Sequence, residues 1–363
     1  MDQSNGASPA RGGRVVHSPK ARFRKLAGAL AAPALVVAVA ACSSSSGGSA
    51  SQGSDGDASI TMSVTIAAPT SAPVYLAQSL GYFKQQGLNV NVKIIPNSYQ
   101  SIAAGQIQYG LVGVSQVLQA NASGVGLQQV CNGQTSPSYI LAVSQKTLDA
   151  KGITASMSLK ETLTKLQGEQ VTEVGGAVNP GSILLSSLLK QNGLPGDSIK
   201  VVSETSNASA TASFMAGQVG VVFQPQPVPD QLLSKVPGRI IFSTADSPLF
   251  ASLQGTPWSG IVASKSYIDA NPDVTKKVCA AIGKADNYLV GNPAQAAKAL
   301  QPQMPSYSVS LLEKALPTYT WAANGAMSES QFQSGVKALA SYGIFQQPSA
   351  STLSAAYTTK YQP

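Results

Sequence analysis

The chain has 363 residues, a formal net charge of +8 from 24 Lys and Arg against 16 Asp and Glu, and one histidine, His17. Residues 1–41 hold that histidine, six of the basic residues and one acidic residue, so residues 42–363 keep 18 basic against 15 acidic side chains, about +3. This remainder gives no charge-based argument for nucleic-acid binding. It cannot build a Ser-His or Cys-His nucleophile pair or a histidine metal site, and Arg239 is its only guanidinium.

The amino terminus has the pattern of a lipoprotein signal peptide. A basic region precedes an apolar run at residues 26–41, which is short for a membrane-spanning helix and typical of a signal peptide. The run ends in Val39-Ala40-Ala41-Cys42, which resembles a lipobox with Cys42 as the lipidated first residue of the mature chain. Residues 42–58 are rich in Ser and Gly and indicate a flexible tether. We therefore expect a leader at residues 1–41 and a mature protein outside the cytoplasm, anchored to the cell membrane by lipid.

The first folded stretch predicts a strand that leads directly into a helix. Residues 64–68 have the apolar character of a short strand. Ser71 can cap the following helix, Pro73 is tolerated in its first turn, and Gly81 ends it. The free N–H groups and the positive dipole end of such a helix favour a polar ligand. A plain βα unit without a ligand is the alternative.

Four segments follow one another along the chain: APVYLAQSLGYFKQQGL, AGQIQYGLVGVSQVLQA, LKETLTKLQGEQVTEVGGAVNPGSILLSSLLKQNGL and SKSYIDANPDVTKKVCAAI. In order and spacing they resemble the periplasmic-type solute-binding proteins of ABC importers, within the branch for nitrate, sulfonate, taurine and thiamine-pyrimidine precursors. The resemblance covers most of the chain from about Ser59 onward. One departure is the tetrapeptide Ala104-Gly105-Gln106-Ile107 and its echo at residues 216–219, where relatives often continue with an aspartate and this chain does not.

The resemblance implies an α/β fold that is two-lobed and periplasmic-binding-protein-like (type II). Each lobe is a sheet flanked by helices, and a two-crossing hinge joins them. The length agrees, because some 300 ordered residues exceed what one small core serves. We expect the first part of lobe 1 at residues 59–150, lobe 2 at 151–245, and the return to lobe 1 with the C-terminal helices at 246–363. The crossings are predicted near residues 143–154 and 243–255.

Two glycine-rich turns raise the question of a nucleotide cofactor. Residues 175–182 follow a predicted strand and precede a predicted helix, but no Gly-Lys-Ser/Thr follows as in a Walker A loop. Gly124-Val125-Gly126 lacks the third glycine of a dinucleotide fingerprint. We therefore expect no cofactor, and the first turn instead offers backbone N–H groups to a ligand.

The C-terminal part predicts helices on the outside of the fold. One runs to about residue 290, with Asn271 or Asp273 near its cap and Pro272 at its start. Others are expected near residues 293–300, 309–316 and 330–342.

Two cysteines, Cys131 and Cys279, remain beside Cys42. In an oxidising compartment they favour one disulfide, and two buried reduced thiols are the alternative.

A closed cleft between two lobes is lined by the turns at the carboxyl ends of the strands. Where this sequence aligns with family segments that line the pocket, the resemblance implies these ligand-binding residues: Thr70, Ser71, Ala72, Tyr99, Ser115, Gln116, Asn179, Gly181, Ser182, Gln224, Gln226 and Trp258. No catalytic residue and no metal ligand is among them.

Each of these positions has a simpler alternative. The three serines can be helix caps, and Trp258 is as well explained by packing as by stacking on a ligand. Gln224 and Gln226 lie in Phe-Gln-Pro-Gln-Pro, where the prolines can simply end a strand. Many relatives have a glutamate before the first proline, so Gln224 removes a carboxylate that could hold a ligand amine.

The resulting site offers hydroxyls, amides, backbone N–H groups and aromatic rings without an evident cation. Nitrate is therefore disfavoured relative to a small sulfonate or a pyrimidine-like heterocycle. The sequence predicts a monomeric receptor that closes on a small-molecule solute and docks on an ABC permease with a separate ATPase. The alternatives are a lipid-anchored sensor and, against the missing histidine, a pyrimidine-precursor biosynthetic enzyme.

Overall fold

The computed structural model describes residues 51–52, 57–174, 180–204 and 207–363. The predicted signal peptide, Cys42 and Asn179 lie outside the described residues, as does most of the predicted tether. Among the described helices, none combines the length and the apolar character needed to cross a membrane.

The described strands are β1 (Ser51–Gln52), β2 (Ala58–Val64), β3 (Leu88–Ile94), β4 (Tyr109–Gly113), β5 (Leu127–Asn132), β6 (Tyr139–Ser144), β7 (Gln170–Val174), β8 (Lys200–Glu204), β9 (Val221–Pro225), β10 (Gly238–Ser243) and β11 (Ser259–Ser264). The described helices are α1 (Ala72–Ser79), α2 (Tyr82–Gln85), α3 (Ser98–Ala103), α4 (Val114–Ala122), α5 (Gln145–Ala150), α6 (Leu159–Lys165), α7 (Pro180–Gln191), α8 (Asn207–Met215), α9 (Val228–Leu233), α10 (Lys265–Ala270), α11 (Pro272–Gly291), α12 (Pro293–Leu300), α13 (Val309–Ala315), α14 (Glu329–Ser341) and α15 (Ala350–Ala355).

These strands form two separate sheets. In the first, the order is β1-β2-β4-β11-β5 with β3 also on β2, and β2 pairs in parallel with both β3 and β4. Strand β11 returns late in the chain and pairs antiparallel with β4 and β5. The second sheet has the order β10-β6-β9-β7-β8. The chain thus builds most of one sheet, then the other, and returns to the first.

The first passage between the sheets lies earlier than the predicted crossing at residues 143–154. Strand β6, assigned from the sequence to the first lobe, pairs antiparallel with β9 and β10 of the second sheet. The passage therefore occupies residues 133–138, between β5 and β6. All six residues of β6 are buried, which marks a central strand but does not tell which sheet receives it. The second passage occupies residues 244–258, close to the predicted 243–255.

The predicted start of α11 is confirmed, and α14 begins one residue before its predicted start at residue 330. Asn271 precedes α11 and Pro272 opens it. Ser328 caps α14, because its side chain accepts from the backbone N–H of Gln331, whose side chain in turn accepts from the backbone N–H of Ser328. Each boundary depends on residues within one turn of the helix end, which is why the sequence pattern locates it.

Helix α11 is the centre of the core beside the first sheet. It packs on α1 and contacts β5, and its Cys279 is joined to Cys131 of β5 by a disulfide with Cα atoms 5.7 Å apart. Both cysteines are fully buried. The disulfide connects residues 148 positions apart, so it ties the returning part of the chain to the first part.

Candidate functional site

A cavity of about 1040 Å³ lies where the carboxyl ends of β2 and β4 meet the two passages between the sheets. Its walls come from the first sheet and its helix starts, from the beginning of α7, and from the segment between α14 and α15. The lining residues are Thr65, Thr70, Ser71, Leu111, Gly113, Ser115, Gln116, Leu118, Gln119, Ala122, Gln134, Pro180, Trp258, Ser259, Ile344, Phe345, Gln346, Gln347, Pro348, Ser349 and Thr352.

The start of α1 forms one part of the lining. A short 3-10 turn, Pro69–Ser71, precedes the helix and places Thr70 and Ser71 at the cavity. The sequence predicts that the Ser71 hydroxyl caps α1, but in the structure it makes no capping hydrogen bond. It donates to the backbone carbonyl of Ile66 at 2.7 Å, and thereby fixes the turn between strand and helix.

The start of α4 forms the neighbouring part. The helix begins at Val114 after Gly113, so the cap lies two residues before the predicted Ser115. Ser115 and Gln116 consequently belong to the first helical turn, where they line the cavity beside free backbone N–H groups. The backbone N–H of Val114 is already used, because it donates to the carbonyl of Trp258 at 3.2 Å.

Trp258 forms hydrogen bonds through both its backbone carbonyl, which accepts from Val114, and its backbone N–H. Its N–H donates to the carbonyl of Gln134 at 3.2 Å, and its ring meets Tyr139 edge-on with centroids 6.4 Å apart. The side chain is half-buried and lines the cavity. It therefore packs against the protein and also offers an aromatic surface to a solute.

The cavity is uncharged, since no side chain lining it within the described residues is ionisable at neutral pH. Its polar groups are hydroxyls and five primary amides, those of Gln116, Gln119, Gln134, Gln346 and Gln347. A primary amide presents donor and acceptor groups side by side. Together with two aromatic rings, this lining suits a polar organic molecule better than a compact ion.

Five of the twelve predicted ligand-binding residues line this cavity: Thr70, Ser71, Ser115, Gln116 and Trp258. Six others do not, and Asn179 lies outside the described residues. Ala72 is fully buried in the first turn of α1, and Tyr99 is half-buried on α3 against apolar neighbours.

The predicted residues of α7 lie next to the cavity and not on it. Pro180, the first residue of the helix, reaches the lining. Gly181 follows it into the helix, and Ser182 lines a second cavity of about 810 Å³ bounded by the end of α14. The shift arises because the helix begins at Pro180, three residues before the predicted start.

Gln224 lies near the carboxyl end of β9 in the second sheet and Gln226 follows that strand, and both residues are buried. The Gln224 side-chain amide donates to the carbonyl of Thr172 at 3.5 Å. The backbone carbonyl of Gln226 accepts from the Tyr319 hydroxyl, and burial raises the pKa of Tyr319 well above its ordinary value, so this donor stays protonated. Gln224 thus serves the protein's own hydrogen bonding through its side chain and Gln226 through its backbone carbonyl, whereas the buried Oε1 of Gln226 has no hydrogen-bond partner among the described residues.

Sequence reasoning missed Gln119, Gln134 and the amides of residues 346–347. Gln119 could have been found, since it lies one helical turn after Ser115 on the same face. Gln134 follows β5 in the passage between the sheets, and its position depends on that passage being located correctly. Residues 346–347 approach the cavity only through the packing of the last two helices.

A sequence model of the family described as NMT1/THI5 like matches residues 68–296 of this chain. The 4-amino-5-hydroxymethyl-2-methylpyrimidine phosphate synthase of Aspergillus parasiticus is 26% identical over 241 residues, which are 63% of this chain and 66% of that protein. The chain therefore spans just under two thirds of the length of that relative.

Solved structures resemble the chain over a larger share. The alkanesulfonate-binding protein of Xanthomonas axonopodis pv. citri, solved with MOPS, has a TM-score of 0.61 at 18% identity, over 83% of this chain and 98% of that one. The periplasmic nitrate-binding protein of Synechocystis PCC 6803 has a TM-score of 0.62 at 13% identity, over 84% and 86%. At these identities the likeness confirms the predicted two-lobed periplasmic-binding-protein fold and does not identify a ligand.

Proposed function

The chain belongs to the NMT1/THI5-like family, and from that membership and the uncharged cavity we propose that it is the solute receptor of an ABC importer. It captures a small organic solute between its two lobes, outside the cytoplasm, and delivers it to a permease that is driven by a separate ATPase. The observation that carries the proposal is the 1040 Å³ cavity at the two passages between the sheets.

The lining favours a pyrimidine-like solute over a sulfonate, and either over nitrate. A pyrimidine edge alternates donors and acceptors, and primary amides such as those of Gln116 and Gln119 complement such edges. A sulfonate would depend on hydroxyls and on the amino-terminal ends of α1 and α4 for its negative charge. Nitrate is too small to fill a cavity of this volume or to use its aromatic rings.

Transport follows from closure of the lobes. A solute that contacts both sides binds the closed form more tightly than the open form, and only this difference in affinity can shift the equilibrium towards closure. The closed form is then what the permease recognises. The leader at residues 1–41 and the lipid on Cys42 would keep the receptor at the outer face of the membrane.

We propose binding without chemistry, although a relative in the family is named a synthase. General acid–base catalysis needs a titratable side chain within hydrogen-bond reach of the reacting group. The described lining residues are hydroxyl, amide and apolar side chains. The hydroxyl and amide groups of the cavity can therefore orient a solute, but no described side chain in the lining is ionisable and able to transfer a proton to or from the solute.

The test is a thermal-shift screen of the protein produced with its own amino terminus and purified in detergent. The panel holds pyrimidines, sulfonates, taurine, nitrate and amino acids. Binding to the folded state raises the melting temperature by mass action, about 2.7 kcal/mol of stabilisation at a solute concentration of 100 times Kd. We expect one class, the pyrimidines first, to exceed its chemical neighbours.

Tryptophan fluorescence locates the binding. The chain has two tryptophans, and Trp258 lines the cavity whereas Trp321 is buried in the core beside the first sheet. A fluorescence change on solute addition should persist in Trp321→Phe and disappear in Trp258→Phe. Persistence in Trp258→Phe, or conversion of the solute to a product, would contradict the proposal.

A further inference from the structure

Residues 344–349, which we call the strap, connect α14 to α15 and form one wall of the cavity. The strap lies beyond residue 296, the end of the family match. Its two ends are attached to opposite halves of the molecule.

The amino-terminal end of the strap is fixed to the second sheet's side. The Tyr342 hydroxyl donates to the carbonyl of Leu249 at 2.6 Å, and the Tyr342 ring stacks on Phe250 with centroids 5.3 Å apart. Phe250 in turn meets Phe242 of β10 at 5.8 Å. Ile344, the first strap residue, is itself buried.

The carboxyl-terminal end is fixed to the first sheet. The backbone N–H of Gln129 in β5 donates to the carbonyl of Ala356 at 2.8 Å, and the N–H of Thr358 donates to the carbonyl of Gln129 at 3.1 Å. Asn132 donates to the Tyr357 hydroxyl at 3.2 Å. The strap therefore bridges the two sheets along the side of the cavity.

Between these attachments the strap has little internal bonding. Residues 345–348 make no backbone hydrogen bond to the described part of the chain. The side chains of Gln346 and Gln347 are exposed, line the cavity, and likewise have no hydrogen-bond partner among the described residues. Their donors and acceptors are thus available to a molecule in the cavity.

We propose that Gln346 and Gln347 are specificity-determining residues that hydrogen-bond the solute from the strap. This inference rests on the proposed receptor function. The solute it implies is a polar organic molecule that offers a donor and an acceptor to these two amides, in addition to the groups that meet Ser115 and Gln116. Because the strap is attached to both sheets, its distance from the solute changes as the sheets move together, and the two amides complete their contacts in the closed form.

The experiment is titration calorimetry of the detergent-purified protein and of Gln346→Ala/Gln347→Ala against the same solute panel. We expect Kd for the tightest solute to rise at least tenfold and the order of preference among related solutes to change. The matched control is Gln303→Ala, which removes an exposed amide in the turn after α12, away from the cavity, and should leave every Kd unchanged.

The isosteric variant Gln347→Glu separates recognition from shape. It replaces the amide by a carboxylate at nearly constant volume, which removes the donor and adds a negative charge, so loss of binding of an uncharged solute assigns a donor role to that side chain. If the double variant binds every solute as the wild type does, the strap assignment is wrong and the receptor function stands. If the wild type binds no member of the panel, both proposals fail.

Discussion

The two walls of the cavity are built by different means. The sheet wall, formed by residues 65–71, 113–116, 134 and 258–259, is cross-linked by hydrogen bonds such as Val114 to Trp258, at 3.2 Å, and Ser71 to Ile66, at 2.7 Å. The strap is attached at its two ends and makes no backbone hydrogen bond over residues 345–348 within the described chain.

This difference assigns different roles to the walls. A site whose groups are fixed by packing and hydrogen bonds binds a defined shape at small entropic cost, whereas ordering a freer segment on binding reduces the net affinity. The sheet wall would therefore set which class of solute enters. The strap, which can vary in sequence without disturbing the sheets, would select within that class.

The largest effect should come from removing the disulfide behind the sheet wall. Closing a loop of 148 residues stabilises a fold by about 5 kcal/mol in the chain-entropy description. The double variant Cys131→Ala/Cys279→Ala should lower the free energy of unfolding by about that amount, as measured by urea denaturation. Cys42→Ala, which removes the third cysteine, should leave it unchanged. Because the proposed lipid occupies Cys42, we expect no titratable thiol in the unreduced, denatured protein, and two would contradict the bond.

Tight packing behind Trp258 predicts the next largest effect. A Cβ added at Gly260 would lie 2.5 Å from the carbonyl oxygen of Cys131 and equally close to the side chain of Gln129. The backbone of β5 must shift to accommodate it, so Gly260→Ala should cost about 2 kcal/mol of stability.

A glycine with room around it is the control for that substitution. A Cβ at Gly291, near the end of α11, meets nothing within 4 Å, so Gly291→Ala should be neutral or stabilise by up to about 1 kcal/mol. Equal losses for the two variants would mean that the sheet wall is not closely packed at Gly260.

Most of the sheet wall could be predicted from the sequence because its signals are local. The helix after Ser71 and the turn before Ser115 are read from a few neighbouring residues, and the errors there are shifts of at most two positions. Such shifts change a serine from a cap to a member of the first turn, as at Ser115, but keep it near the cavity. The strand predicted at residues 64–68 is displaced further, because the structure places it at Ala58–Val64.

The rest depends on contacts that are distant in sequence. The membership of β6 in the second sheet is decided by pairing with β9 and β10, some 80 to 100 residues later. That error displaced the predicted hinge and hid Gln134. Residues 346–347 carry no local signal for a site, because they reach the cavity only through attachments to β5 and to residues 248–253.

The free energy of unfolding should depend on pH through one buried carboxyl group. Asp286 of α11 is fully buried, and neither carboxyl oxygen has a hydrogen-bond partner among the described residues. Burial raises the pKa of Asp286 well above its ordinary value of 3.8. Above pH 3.8 the unfolded chain releases this proton while the folded chain keeps it, so stability falls as pH rises until the folded pKa is passed.

Asp286→Asn removes that titration. The variant should lose the part of the pH dependence that wild type shows above pH 4, where each unit of difference between folded and unfolded pKa corresponds to about 1.4 kcal/mol. Urea denaturation at several pH values measures it. Asp246→Asn, an exposed carboxylate in the second passage, is the control and should keep the wild-type slope. A wild-type slope in Asp286→Asn would show that the carboxylate is charged in the folded protein.

The smallest effect on stability should come from the strap itself. Gln346→Ala/Gln347→Ala removes two exposed side chains that have no hydrogen-bond partner in the described part of the chain, so the free energy of unfolding without solute should change by less than about 0.5 kcal/mol. Tyr342→Phe, which removes the hydroxyl bonded to Leu249 at 2.6 Å, should cost about 1 kcal/mol. Urea denaturation of both variants measures the contrast. If the glutamine variant costs as much as Tyr342→Phe, the two amides stabilise the fold, and the division between a fixed sheet wall and an adaptable strap is lost. If it costs little and yet weakens solute binding, the strap contributes to recognition without contributing to folding, and so its sequence can change with the solute while the sheets remain the same.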